Sequence, residues 1–309
     1  MWDDGAGQTT TTATNLAPGN YTVTVTDGNG CTFTTPAVTI TEPTALTATA
    51  TKVQDVQCNG AADGSISVSA SGGTPNYTYL WDDGAGQTTT TATNLAPGAY
   101  TVTVTDDNGC TFTTPAVTIT EPTALTATAT KVQDVQCNGA ADGSISVSAS
   151  GGTPNYTYLW DDGAGQTTTT ATNLAPGNYT VTVTDGNGCT FTTPAVTITE
   201  PTVLTATATK VQDVQCNGAV DGSISVSASG GTPNYTYLWD DGAGQTTTTA
   251  TNLAPGNYTV TVTDGNGCTF TTPAVTITEP TALTATATKV QDVQCNGAAD
   301  GIILSLIHI

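Results

Sequence analysis

The chain has 309 residues, with 25 acids against four Lys and no Arg, for a net charge of −21. A polyanion without Arg cannot neutralise phosphates, which excludes nucleic acid as a partner. It draws cations and stays soluble by self-repulsion.

A repeat governs everything else. Trp2, Trp81, Trp160 and Trp239 recur every 79 residues (81 − 2 = 79), and the copies align without gaps from Met1 to Gly301. Only isolated substitutions separate them, such as Asp107 for Gly28, Gly186 and Gly265, and Val220 for Ala62. This predicts full modules at 44–122, 123–201 and 202–280. Residues 1–43 read as the C-terminal part of a module, and 281–309 as the start of one. The tail 302–309 leaves the pattern and reads as a sequence-end artefact, so His308 within it carries no functional weight. No signal peptide or membrane span is read in the sequence.

In chain order, the module 44–122 opens with Leu46–Lys52, a weakly alternating edge strand. Asn59-Gly60 and Asp63-Gly64 are turn pairs. Ser65–Ala70 is a strand with Ile66, Val68 and Ala70 inward. A Gly72–Asn76 loop leads to Tyr77–Trp81, an aromatic strand with Tyr77, Tyr79 and Trp81 on one face. Asp82–Gly86 turns, and Gln87–Thr93 is a Thr-rich strand. Pro97-Gly98 turns again, with proline fixing φ and glycine accepting a positive φ. Tyr100–Thr105 then alternates strictly as one strand. Asp106–Gly109 is a turn, Cys110–Phe112 a strand, and Val117–Ile119 the last. The inward parity changes between these two, as a one-residue bulge near Pro115 would cause. The pattern is all-β, about seven strands with no helix and a turn every ten residues or so, which predicts a tandem array of immunoglobulin-like β-sandwiches. The Trp on a central strand and the Tyr after Pro-Gly fit that layout, where such a Tyr ties down a corner. Leu, Ile, Val and Phe supply only twelve residues of module 44–122, so the core is small and calls for a staple.

Cysteines supply the candidate staple, two per module: Cys58 and Cys110, Cys137 and Cys189, Cys216 and Cys268, with Cys31 and Cys295 in the incomplete ends. Without Cys-x-x-Cys or a nearby His, zinc is not indicated. The pairs read as disulfides in an oxidising, extracellular setting. Pairing across neighbouring modules, Cys31–Cys58 onward, leaves no thiol free. It would need the modules to fold back on each other, so pairing within modules, Cys58–Cys110 and its copies, which closes a loop of 53 residues (110 − 58 + 1), is the expected scheme, although an immunoglobulin layout sets those two turns at opposite ends.

Four ordered motifs together carry a family resemblance: Cys58–Val68, Gly72–Trp81, Asn94–Asp106 and Asn108–Cys110. In them the chain resembles the SprB repeat of very large surface proteins of gliding and other Bacteroidetes bacteria. The resemblance implies secretion to the cell surface by the type IX system and a part in adhesion or gliding. It carries no catalytic residues. Trp81–Gly84 and the Tyr100–Val104 run are also distantly similar to the PKD domain, another immunoglobulin-like module.

Candidate chemistry is sparse. Asp82 and Asp83 are the best acid pair, but adjacent residues at a strand end diverge, whereas a glycosidase needs two carboxyls facing one bond. No Arg, in-module His or further nucleophile supports catalysis, so the chain reads as non-enzymatic and without a cofactor. Calcium is the one ion for which turn ligands are present, in Asp82, Asp83, Asp106, Asn108 and their copies. Asn76-Tyr77-Thr78 and Asn178-Tyr179-Thr180 match a glycosylation sequon that a bacterial source leaves silent. Tyr77, Tyr79 and Trp81 are candidates for a sugar-stacking face, but core is the better reading. The function expected is a segment of a cell-surface adhesin, an extended stalk or adhesive array. The alternatives are modules that bind polysaccharide or calcium, or a spacer in a secreted enzyme.

Overall fold

A computed structural model describes residues 1–308, with side-chain burial through residue 305. Among the described residues every regular element is a strand, and no helix is long and apolar enough to cross a membrane. Four strands come first: β1 (Gly19–Tyr21), β2 (Thr24–Thr26), β3 (Thr32–Thr34) and β4 (Val38–Ile40). Eight follow: β5 (Thr47–Gln54), β6 (Gly64–Ser71), β7 (Thr78–Trp81), β8 (Thr91–Leu95), β9 (Gly98–Tyr100), β10 (Val102–Thr105), β11 (Thr111–Thr113) and β12 (Val117–Ile119). The eight recur as β13–β20, from Thr126–Gln133 to Val196–Ile198, and as β21–β28, from Thr205–Gln212 to Val275–Ile277. β29 (Thr284–Gln291) and β30 (Ile302–His308) close the series. The chain forms two compact units. One holds Met1–Thr126 with Ser150–Asn155 and Asp185–Cys189; the other holds Ala127–Ala149, Tyr156–Thr184 and Thr190 onward.

In the first unit, β5-β6-β8 form one antiparallel sheet and β7-β10-β11 another, with β9 and β12 paired beside them. Between the sheets lie Val56, Ile66, Val68, Trp81, Ala92, Leu95, Val102, Val104 and Ile119. The alternation read in the sequence is thus what fills the core: Ile66 and Val68 come from one sheet, Val102 and Val104 from the other. The second unit repeats this core around Trp239, with Ile224, Val226, Val260, Val262 and Ile277. These are immunoglobulin-like β-sandwiches, as the sequence predicts.

Two local readings change. The run Tyr100–Thr105 is two strands, because Thr101 leaves the ladder to bond Asp82: its N–H donates to Oδ1 at 2.7 Å and its hydroxyl to Oδ2 at 2.9 Å. The break sends β9 to β12 and β10 to β7 and β11. That division also underlies the parity change, since β11 and β12 pair with different strands. The Thr-rich strand starts late, at Thr91, because the Gln87 side chain pairs with Thr93 like a strand residue: its amide donates to Thr93 O at 2.9 Å and accepts from Thr93 N at 3.1 Å.

At the chain's start, Val25 is 57% exposed while its copy Val104 is 0%. Strands equivalent to β5 and β6 are not there to cover it, which locates the core between two sheets. The described part of the tail, residues 302–308, forms a strand. Ile302–His308 pairs with β29 as β6 pairs with β5, including the shift between Lys289 and Gln291 that matches the one between Lys52 and Gln54.

Candidate functional site

The acidic turn residues are spent on the backbone. Asp83 Oδ1 accepts from the N–H groups of Ala85 (3.2 Å), Gly86 (2.7 Å) and Gln87 (3.2 Å), and its Oδ2 from the Gln87 side chain. Burial raises its pKa, but these donors outweigh that and hold the carboxyl below the usual range. Asp82 is committed to Thr101. Asp106 is buried, its Oδ2 accepting from Thr74 N at 2.9 Å and its Oδ1 from Cys110 N at 2.8 Å and Asn108 N at 3.0 Å. The Thr74 bond is the main reason its carboxyl titrates low. Asn108 donates to Thr74 Oγ1 at 2.8 Å. Asp82, Asp83, Asp106 and Asn108 therefore brace three different turns. Among the described residues no three His, Cys, Asp or Glu side chains are placed to hold a metal ion.

Tyr77 and Tyr79 pack half-buried against the core around Trp81, whose Nε1 donates to Thr89 O at 2.9 Å. This aromatic strand is core. Tyr100 OH donates to Ala96 O at 2.9 Å, the expected tie across the Pro97-Gly98 turn.

The two cysteine turns sit at opposite ends of the sandwich. Asn59 Nδ2 donates to Pro122 O at 3.0 Å and Gly60 N to Glu121 Oε2 at 2.6 Å, so the Cys58 turn lies where the chain leaves. The Cys110 turn is held by Asp106 to Thr74, and Gly73 N donates to Thr44 O at 2.6 Å, so it lies where the chain enters. An in-module Cys58–Cys110 bridge would have to span the sandwich. Instead Cys58 bonds Cys189 and Cys137 bonds Cys268, each with 5.7 Å between Cα atoms and 131 residues of separation. The exit turn of one copy is joined to the entry turn of the next. Cys110 and Cys216, expected in bridges, are exposed free thiols, as are Cys31 and Cys295. The pairing across neighbouring modules that leaves no thiol free is not found either.

Each joint has a second bond that no sequence signal marks. Asn187 Nδ2 donates to Gln57 O at 3.1 Å, and Asn266 Nδ2 to Gln136 O at 3.0 Å. Beside the free Cys110, the equivalent Asn108 turns back to Thr74. The substitution Asp107 lies in that unjoined turn, where the copies have Gly186 and Gly265. A Cβ on Gly186 would come to 2.5 Å from Pro154 O.

Three stretches, residues 50–86, 129–165 and 208–244, match the family model of the SprB repeat. Together they cover about a third of the chain, each a stretch similar to the SprB repeat. Each match runs from the first strand of the sandwich through the Trp strand to the Asp83-type turn, and contains the exit cysteine but not the entry cysteine. No curated protein matches the chain. Among solved structures, the array is similar to a tetra-tandem repeat from the extending region of a large adhesion protein. The identity is 18% over 86% of this chain and 84% of that one, with a TM-score of 0.30. It is also similar to an I-band fragment of titin, at 13% identity, 78% and 100% coverage and a TM-score of 0.30. A third is surface layer protein SbsC, domains 4–9, at 18% identity, 82% and 50% coverage and a TM-score of 0.20. With scores this low, the assignment of the SprB-like repeats to a sandwich rests on their own strand pairing.

Proposed function

We propose that this chain is a non-enzymatic, load-bearing repeat segment of a large secreted bacterial surface adhesin. In this reading the sandwiches 44–122, 123–201 and 202–280 are its units of construction. They form a stalk that displays an adhesive element in surface attachment or gliding motility. The observation that carries the reading is the covalent joint between consecutive SprB-like repeats, at Cys58–Cys189 and Cys137–Cys268. A bridge that ties repeat to repeat, not one that shapes a pocket within a repeat, is what a load-bearing array needs. Disulfides of this kind also fit an oxidising, extracellular location. The polar groups of the turns are satisfied internally, which leaves few to recognise a ligand.

The test is binding. The 309-residue chain, labelled and applied to a broad array of bacterial and host polysaccharides, is expected to give no saturable signal. The same chain, placed between a membrane anchor and an unrelated adhesive domain, is expected to preserve that domain's adhesion. Saturable polysaccharide binding by the repeats alone would overturn the stalk reading in favour of a binding array.

A further inference from the structure

The two bridges overlap in sequence. Cys137 lies inside the loop closed by Cys58–Cys189, and Cys189 inside the loop closed by Cys137–Cys268. Separate loops simply shorten a chain one after another. Overlapping loops redirect it. The shortest covalent route from the first residue to the last goes forward to Cys58 and crosses to Cys189. It then runs backward along the backbone to Cys137, crosses to Cys268 and goes on. That route holds about 150 of the 308 peptide steps, roughly 520 Å fully drawn at ~3.5 Å per step against roughly 1,080 Å for the open chain.

We propose that these overlapping disulfides act as a strain limiter, halving the length to which the array can be drawn out. The backbone from Cys58 to Cys137 and from Cys189 to Cys268 is longer than the backward route beside it, so it stays slack when the chain is taut. Those slack stretches contain Trp81 and Trp239 and most of the cores around them. At full extension load runs through the middle sandwich along the segment between Cys137 and Cys189, with Ile145, Trp160 and Val183 of its buried core, and elsewhere only along residues 1–58 and 268–309. In the outer sandwiches only β5, and β27 with β28, lie on the loaded route, and the rest of each core stays off it. The limiter gains its purpose from the stalk reading, but its covalent path stands or falls separately.

Overlap leaves a signature in the intact protein. The full chain is held at constant high force between handles on its two ends, and a dithiol reductant is added. Releasing whichever bridge breaks first adds only about 27 steps, because the other loop still spans 131; releasing the second adds about 131, nearly five times as much. The final length is twice the initial one. C58S and C137S should each start at about 0.57 of the reduced length and lengthen once, by the large step. Fully drawn length depends on which bridges exist and not on whether a variant's sandwich folds. Equal steps of about 52 residues, with C58S starting at two thirds of the reduced length, would mean short loops within repeats and overturn the proposal. So would an oxidised chain as long as the reduced one. Polysaccharide binding would unseat the stalk reading and leave these steps unchanged.

Discussion

At Gly73 a backbone angle and a carboxylate meet. Its φ is +61°, and a Cβ there would come to 2.5 Å from Asp106 Oδ2, the atom that accepts from Thr74. Gly73→Ala should therefore cost about 1–3 kcal/mol, from the left-handed backbone and the displaced acceptor together. Chemical denaturation of the variant shows this as a lower midpoint in one of three transitions. Several carboxyls also give the fold an acid edge. Asp134 is held down to about 2 by the Lys131 side chain and Thr199 N, while Asp55 is lowered by the Lys52 side chain and Thr120 N, and Asp213 by Thr278 N and the Lys210 side chain. Asp106 is lowered too. Because the folded-state values are depressed, the unfolded chain takes up protons first as pH falls. Their contribution is whole above about pH 4 and is lost as pH drops from there towards 2. With salt held high enough to screen the net charge, the melting temperature should be level from pH 7 to 5 and fall steeply between 4 and 2. A level profile down to pH 2 would show that these bonds contribute nothing. None of this was legible as chemistry in the sequence, where Asp82, Asp83, Asp106 and Asn108 have the composition of a calcium site. A sequence does not reveal which backbone N–H groups have already claimed a carboxylate.

At the scale of elements the sequence is far more transparent. Period-two alternation and Pro-Gly or Asn-Gly turns place nearly every strand, because a half-buried strand and its turns are local in origin. The two misread strands, Tyr100–Thr105 and Gln87–Thr93, failed for one reason. Each is edited by a side chain that bonds the run's backbone, Asp82 from outside it in the first case and Gln87, the run's own first residue, in the second. The aromatic strand was read correctly as core, and its anchor is measurable. Trp81 is 2% exposed and its indole N–H reaches Thr89 O. Trp81→Ala should destabilise its sandwich by about 3–5 kcal/mol. Calorimetry of the whole chain should then resolve one early transition while the sandwiches around Trp160 and Trp239 melt as before. A uniform shift of all three would mean that the cores are not independent.

For the whole molecule, the 79-residue period gives the number of sandwiches, but near-identical copies conceal which cysteine meets which. The choice is made by the ends of the sandwich: the Cys58 turn is tied through Asn59 and Gly60 to Pro122 and Glu121, and Cys189 is tied through Asp185 to Thr153, whose neighbour Gly152 bonds Thr123 at the start of its own copy. Only the folded positions of those turns reveal that exit meets entry 131 residues on. Applied to the remaining cysteines, the same offset points each of Cys31, Cys110, Cys216 and Cys295 to a position outside these 309 residues, and all four are free and exposed. Thiol counting separates the schemes directly. The native, oxidised chain should react at four sites with a thiol reagent, where in-module pairing leaves two and neighbour pairing none. C58S should expose five, because Cys189 loses its partner. Cys110→Ser should expose three and leave both bridges intact. A count of two in the native chain, rising to three in Cys110→Ser as Cys58 loses its partner, would restore a bridge within each sandwich and require the Cys58 turn to cross its full length.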